Sequence, residues 1–265
     1  MLTIFPEPPT WQALLGFDLD GTLLLSGEDP PLDPRFFESV RWVRANYGAV
    51  WGICTGRSLP QLIEGFNEGK FVALPDFVVV REREIYFPGQ FGRWLPHDDW
   101  NRNCEKEHAR LFRKSRRFLG KVRKLVEAAE GARWVSEEGD PAGIVADDVA
   151  QLEELVHQFE ALQPPPKLSF ERNGIYLRFS HADFNKGTAL RELGDYWGVG
   201  TDKTLAVGDN FNDLNMFQQG ICEALGCPAN AVQVVRDFVH QRGGIVAEKK
   251  GSAGVIEILG RYFDP

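Results

Sequence analysis

An α/β fold, with a parallel-sheet core and an inserted α/β domain, is predicted by three observations. Short continuous apolar runs recur along the chain. Several of them end in a polar, Gly-containing turn followed by a helical pattern. From about residue 83 to 179 the character of the sequence changes. Apolar runs without alternation suit strands buried on both faces, and strand–helix–strand succession is the unit of a parallel sheet. With 265 residues, 43% of them hydrophobic, the chain can bury one large core or a core plus an insert.

Ala13 to Phe17 is the first run and leads into Asp18. Asp33 is a plausible N-cap with Pro34 at the first helical position; Phe36, Val40, Val43 and Tyr47 then recur at helical spacing until Gly48. Ala49 to Cys54 leads into Thr55-Gly56-Arg57, and Phe77 to Val80 follows the turn at Pro75-Asp76. Thr204 to Val207 leads into Gly208-Asp209, with Ile221 to Leu225 and Gly244 to Ala247 as shorter candidates. Ligands of open parallel sheets bind at the carboxyl ends of strands. Asp18, Thr55 and Asp209 all fall at such ends.

Between the third and fourth of these runs lie an aromatic-rich loop (Tyr86 to Trp100), a long charged helix (Glu105 to Glu130) and a strand-like segment (Gly143 to Ala146). A helix from Asp148 to Leu162, three prolines from Pro164 and an alternating strand from Ile175 to Phe179 follow. The expected division is a core of residues 1–82 and 180–265 around a cap of residues 83–179.

Composition narrows the function classes. The net charge of -8 argues against a nucleic-acid binder. Met1 to Thr10 has three prolines and no Lys or Arg, unlike a signal peptide, and no stretch approaches a membrane span. Cys54, Cys104, Cys222 and Cys227 are scattered without metal-knuckle spacing and read as free thiols. A cytoplasmic protein with no membrane partner is expected.

Four segments carry chemistry. Asp18 and Asp20, separated by one residue and followed by Gly21, offer two carboxylates that a turn can aim differently around one centre; a capped turn explains the pair equally well. Thr55-Gly56-Arg57 offers a hydroxyl and backbone N–H groups ahead of a helix, as a phosphate site needs, although an ordinary N-cap has the same look. Lys186 opens a helix, where the macrodipole does not favour a cation; a solvated surface lysine is the commoner case. Gly208-Asp209-Asn210-Phe211-Asn212-Asp213 places four polar side chains in five positions after a buried strand, more than capping requires.

In this order the four segments resemble the haloacid dehalogenase-like phosphohydrolases, with a Rossmann-like core, and the large insert resembles the Cof-type and sucrose-phosphatase-like branch. Pro75 to Val80, Glu84 to Phe87 and Asp99-Trp100 are similar to the matching stretch of sucrose-phosphate phosphatases, except that Arg81-Glu82-Arg83 replaces small residues there. The resemblance implies a magnesium-dependent phosphatase with Asp18 as nucleophile and Asp20 as general acid/base. It implies Mg2+ held by Asp18, the Asp20 carbonyl, Asp209 and Asp213, and a phosphoryl group held by Thr55, Gly56, Lys186 and Asn212. The implied partner is a small phosphorylated metabolite, such as a sugar phosphate. A phosphomutase or phosphotransferase of the same fold, and a non-catalytic binding protein on the same scaffold, are the alternatives.

Two further features have plain explanations. Eight basic residues between Arg110 and Lys124 read as a solvated helix face rather than a nucleic-acid patch. Tyr86, Trp94, Trp100 and Trp134 could meet a sugar ring, but large aromatics are more often core.

Overall fold

The structure, a computed structural model, describes residues 3–6, 10–137 and 140–263. Part of the proline-bearing N-terminus (residues 1, 2 and 7–9) lies outside them. The chain forms two compact units, residues 1–101 with 186–265 and residues 102–185.

The first unit is built on an eight-stranded sheet. Its parallel part contains β2 (Ala13–Phe17), β3 (Ala49–Cys54), β5 (Phe77–Val80), β12 (Thr204–Val207), β13 (Ala224–Cys227) and β14 (Ile245–Val246), in the order β14-β13-β12-β2-β3-β5. The antiparallel hairpin β6 (Glu84–Pro88) and β7 (Trp94–Pro96) extends it beyond β5. A separate two-residue parallel pair joins β1 (Thr3–Ile4) to β4 (Ala73–Leu74).

Alternation along the strands explains the unbroken apolar runs. Leu15, Phe17, Trp51, Ile53 and Val78 pack on one face, against α1 (Arg35–Tyr47), α2 (Leu59–Glu68) and α7 (Gly251–Tyr262). Leu14, Val50, Cys54, Phe77 and Val79 pack on the other, against α5 (Lys186–Trp197) and α6 (Gln233–Gln241). Both faces are covered, so every second residue still has to be apolar on each side.

The second unit carries an antiparallel sheet of β8 (Ala132–Glu137), β9 (Asp140–Ala146), β10 (Leu168–Asn173) and β11 (Tyr176–His181), in the order β10-β11-β9-β8. The long helix α3 (Asp98–Ala128) and α4 (Val149–Ala161) bury Leu111, Val122, Leu152 and Phe159 against Ile144 and Phe179 of this sheet.

Several expectations need correction. Tyr86 to Trp100 is a hairpin rather than a loop, because Tyr86 pairs with Pro96 and Val78 and so continues the first sheet. The two compact units meet along the chain at 101/102 and 185/186, where the sequence reading placed its divisions at 82/83 and 179/180. The charged helix starts at Asp98, earlier than Glu105, with Asp98 and Asp99 in its first turn where the macrodipole favours acids. Ile221 and Cys222 are buried ahead of the strand, which begins only at Ala224; their apolarity reflects packing, not pairing. β8 and β10 were hidden by charged residues such as Arg133 and Glu171.

Candidate active site

The four sequence segments meet at the carboxyl ends of β2, β3 and β12 and at the start of α5. Asp18 follows β2 and is 5% exposed. Its backbone N–H donates to Val207 O at 2.9 Å, which ties it to β12. Lys186, the first residue of α5, is fully buried. Its ammonium donates to Asp18 Oδ1 and to Asp213 Oδ1, both at 2.6 Å. The surface-lysine alternative is therefore excluded. Gly187 lets α5 approach, because a Cβ there would lie 2.0 Å from Asn215 O.

Asp209 follows β12, and its Oδ1 accepts from the Thr22 hydroxyl at 2.9 Å. Gly21 is required beside it: its φ is +87°, and a Cβ would lie 2.4 Å from Asp209 Oδ2. Asn230 steadies this turn by donating to Gly21 O at 2.7 Å. Asp213 has a structural task as well. Its Oδ2 accepts from the backbone N–H groups of Asp209 (2.8 Å) and Asn210 (2.9 Å), closing a capping box on the 3-10 turn Phe211–Asn215. Capping thus accounts for Asn210 and Asp213 and leaves Asp209 free for chemistry.

Carboxylate oxygens of Asp18, Asp209 and Asp213 all lie within 4.8 Å of one another. Two unit charges at that separation repel by about 3–4 kcal/mol at an effective dielectric of ~20. Burial first, and then Asp213, push Asp18 well above the usual carboxylate range, although Lys186 opposes this. Burial and Asp213 push Asp209 up to about 7. Burial disfavours the charged form of Lys186, yet Asp18 and Asp213 outweigh it and raise the lysine well above its ordinary value. Three carboxylates against one ammonium leave two negative charges in excess, which a divalent cation would offset. Hard oxygen donors of this kind suit Mg2+ or Ca2+, so the residues present fit such an ion.

Asp20 is separate from this cluster. It stands just before Gly21, and its two oxygens accept from Arg57 Nη2 (2.6 Å) and Nε (2.9 Å). Thr55, at the end of β3, is buried, and its Oγ1 accepts from the Arg57 N–H at 3.1 Å, leaving the hydroxyl proton to donate elsewhere. It does not cap α2; Ser58 does, in a capping box with Gln61. Gly56 lies between Thr55 and Arg57 in this loop. Asn212 is buried, and its Nδ2 donates to Glu82 Oε1 at 2.7 Å.

Arg57 and Glu82 are the residues missed as site members. Arg57 stood in a quoted motif, and its proximity to Asp20 was the signal lacking. Glu82 is 5% exposed in a turn where Arg81 (φ 49°) and Glu82 (φ 66°) are both left-handed, a cost of roughly 1–2 kcal/mol each for non-glycine residues. Backbone bonds from Arg81 N to Arg57 O and from Glu82 N to Thr55 O, both 2.9 Å, hold that turn against the Thr55 loop. Within the sequence it was visible only as a charged replacement of small residues.

All four cysteines are free and buried, and burial pushes the thiols of Cys54, Cys222 and Cys227 up to about 12, so they are poor nucleophiles. In the second unit Trp134 is partly buried and stacks on Phe179 of the core at 5.8 Å, and His181 is buried, its basicity reduced by that burial.

This fold and site can be compared with known proteins. The sucrose-phosphatase of Synechocystis sp. PCC6803, solved in complex with sucrose and phosphate, superimposes with a TM-score of 0.71 at 17% identity, over 96% of this chain and 98% of that one. The chain has the haloacid dehalogenase-like fold. A haloacid dehalogenase-like hydrolase of Bacillus subtilis gives a TM-score of 0.60 at 15% identity, over 98% and 94% of the two chains. The family of haloacid dehalogenase-like hydrolases also matches residues 133–239. A Haemophilus influenzae protein named as a candidate phosphatase is 35% identical over 100 residues, 37% of this chain and 36% of that protein. The likeness read from the four segments is borne out. No helix among the described residues is long and apolar enough to cross a membrane.

Proposed function

We propose that this haloacid dehalogenase-like protein is a magnesium-dependent phosphatase that hydrolyses a phosphorylated small metabolite, a sugar phosphate. The observation that carries this reading is the fully buried Lys186 held at 2.6 Å by both Asp18 and Asp213, beside Asp209. Burying that many charges is expensive, and a scaffold without chemistry has no need of it. The fold likeness to a sucrose-phosphatase supports the sugar phosphate as substrate class.

Asp18 attacks phosphorus with one carboxylate oxygen. The ester P–O bond breaks, the leaving oxygen takes a proton from Asp20, and an aspartyl-phosphate remains on Asp18. Asp20 then removes a proton from water, whose oxygen attacks phosphorus; the bond to Asp18 breaks and inorganic phosphate leaves. Lys186, the Thr55 hydroxyl and the Gly56 backbone hold the phosphoryl oxygens. Asn212 joins them once its amide leaves Glu82. Asp18, Asp209, the Asp20 carbonyl and Asp213 would hold Mg2+; bound there, it neutralises carboxylate and phosphate charge. We assign substrate selection to the inserted residues 102–185.

Free phosphate release, measured over a panel of sugar phosphates with and without Mg2+, tests this directly. Release should require the metal and vanish in Asp18→Asn. Transfer of the phosphoryl group to a second sugar without free phosphate would instead favour a phosphotransferase.

A further inference from the structure

Each Asp20 oxygen accepts one bond from Arg57, which aims the carboxyl at the guanidinium, so meeting a leaving group requires it to turn from that partner. Arg57 has a second acceptor within reach. Its Nη1 and Nη2 each lie 3.3 Å from Glu68 Oε2, and Nη1 also donates to Gln61 O at 3.2 Å. The guanidinium is thus shared between Asp20, on the turn after β2, and Glu68, on the last turn of α2. The Arg57 backbone is held independently of both. The Arg57 N–H donates to Thr55 Oγ1, its carbonyl accepts from Arg81 N, and Gly65 makes room for it, since a Cβ there would lie 2.9 Å from Nη1. Asp20, by contrast, is partly exposed, its side chain 40% accessible, and has space to turn.

We propose that Arg57 is a positioning residue for Asp20 and that Glu68 is the acceptor that takes over Arg57 when Asp20 turns to the substrate. The inference rests on the phosphatase reading and adds the hand-over between two carboxylates. With Glu68 in place, Asp20 leaves a guanidinium that keeps one anionic partner. Without it, departure strands a half-buried cation, and Asp20 stays paired for longer.

Leaving-group dependence separates this from a purely structural role. Expulsion of an alkoxide from an alkyl or sugar phosphate needs the Asp20 proton; p-nitrophenolate leaves with far less help. The readout is the ratio of kcat/KM for glucose 6-phosphate or glycerol 3-phosphate to that for p-nitrophenyl phosphate, in the full chain with Mg2+. Glu68→Gln should lower the ratio by about two- to fivefold, the factor a partly exposed ion pair can supply. The same substitution in an Arg57→Ala background should leave the ratio where Arg57→Ala alone puts it. An unchanged ratio in Glu68→Gln overturns the proposal, and so does a loss that persists without Arg57. Glu68 is exposed at a helix end, so its variant should fold, and its single-variant ratio decides the matter even where Arg57→Ala does not fold. A wild-type protein that releases phosphate from none of these esters would instead refute the phosphatase reading itself.

Discussion

Two clusters of charge in this molecule behave in opposite ways. On α3, Arg113, Arg116, Arg117 and Lys121 are exposed, and the Arg123–Glu127 pair at 2.8 Å is a half-exposed i,i+4 contact. In the first unit a single lysine is fully buried between two carboxylates. The basic run is far more conspicuous in the sequence, yet its charges lie on an exposed helix face where solvent screens them. At Lys186 the protein must do so itself, and that is where charge acquires chemical consequence.

The largest expected effect lies in the buried cluster. Asp18→Asn should cut phosphate release by at least ~10³-fold, as loss of a nucleophile does. Its melting temperature should not fall, because the substitution removes a buried, repelled carboxylate whose proton affinity is already raised. Next comes a substitution made twice. Lys186→Met should reduce turnover by roughly 10²–10³-fold and destabilise by about 3–5 kcal/mol, since it leaves Asp18 and Asp213 without their cation. Lys121→Met on α3 should change stability by no more than about 0.5 kcal/mol. Equal effects at the two lysines, read by denaturant melts, would erase the contrast.

Between these extremes stands the response to pH and metal. Asp209 is raised to about 7 by burial and Asp213, against a reference near 3.8. A carboxyl with a raised folded value holds its proton more tightly in the fold. Its contribution to stability is therefore present at low pH and lost as pH rises from about 4 through about 7. A divalent cation competes with that proton. The thermal shift on adding MgCl₂ should consequently be larger at about pH 8 than at about pH 5; the reverse order would argue against the carboxylates as its ligands. The smallest effect belongs to Arg123→Ala, about 0.3–0.5 kcal/mol and weaker still at high salt.

Much of this was legible from residues alone. Strands buried on both faces announce themselves as apolar runs, so β2, β3, β5 and β12 and the polar ends that follow them could be placed. The hairpin β6–β7 could not, because its aromatics pack as partial core and mimic a loop. Candidate site residues that stand directly after strands could be placed by position. The pairing of Asp20 with Arg57, and of Asn212 with Glu82, joins segments far apart in the chain, and no local spacing encodes such a meeting.

Lys186 is also the first residue after the second unit ends. Its seat depends on Gly187 against Asn215 and on Asp18 and Asp213, all of them outside residues 102–185. That seam makes the chain modular: one contiguous segment can diverge or be exchanged while the carboxylates and their lysine stay in register. A designer grafting another insert should cut before Lys186 and leave Gly187 untouched.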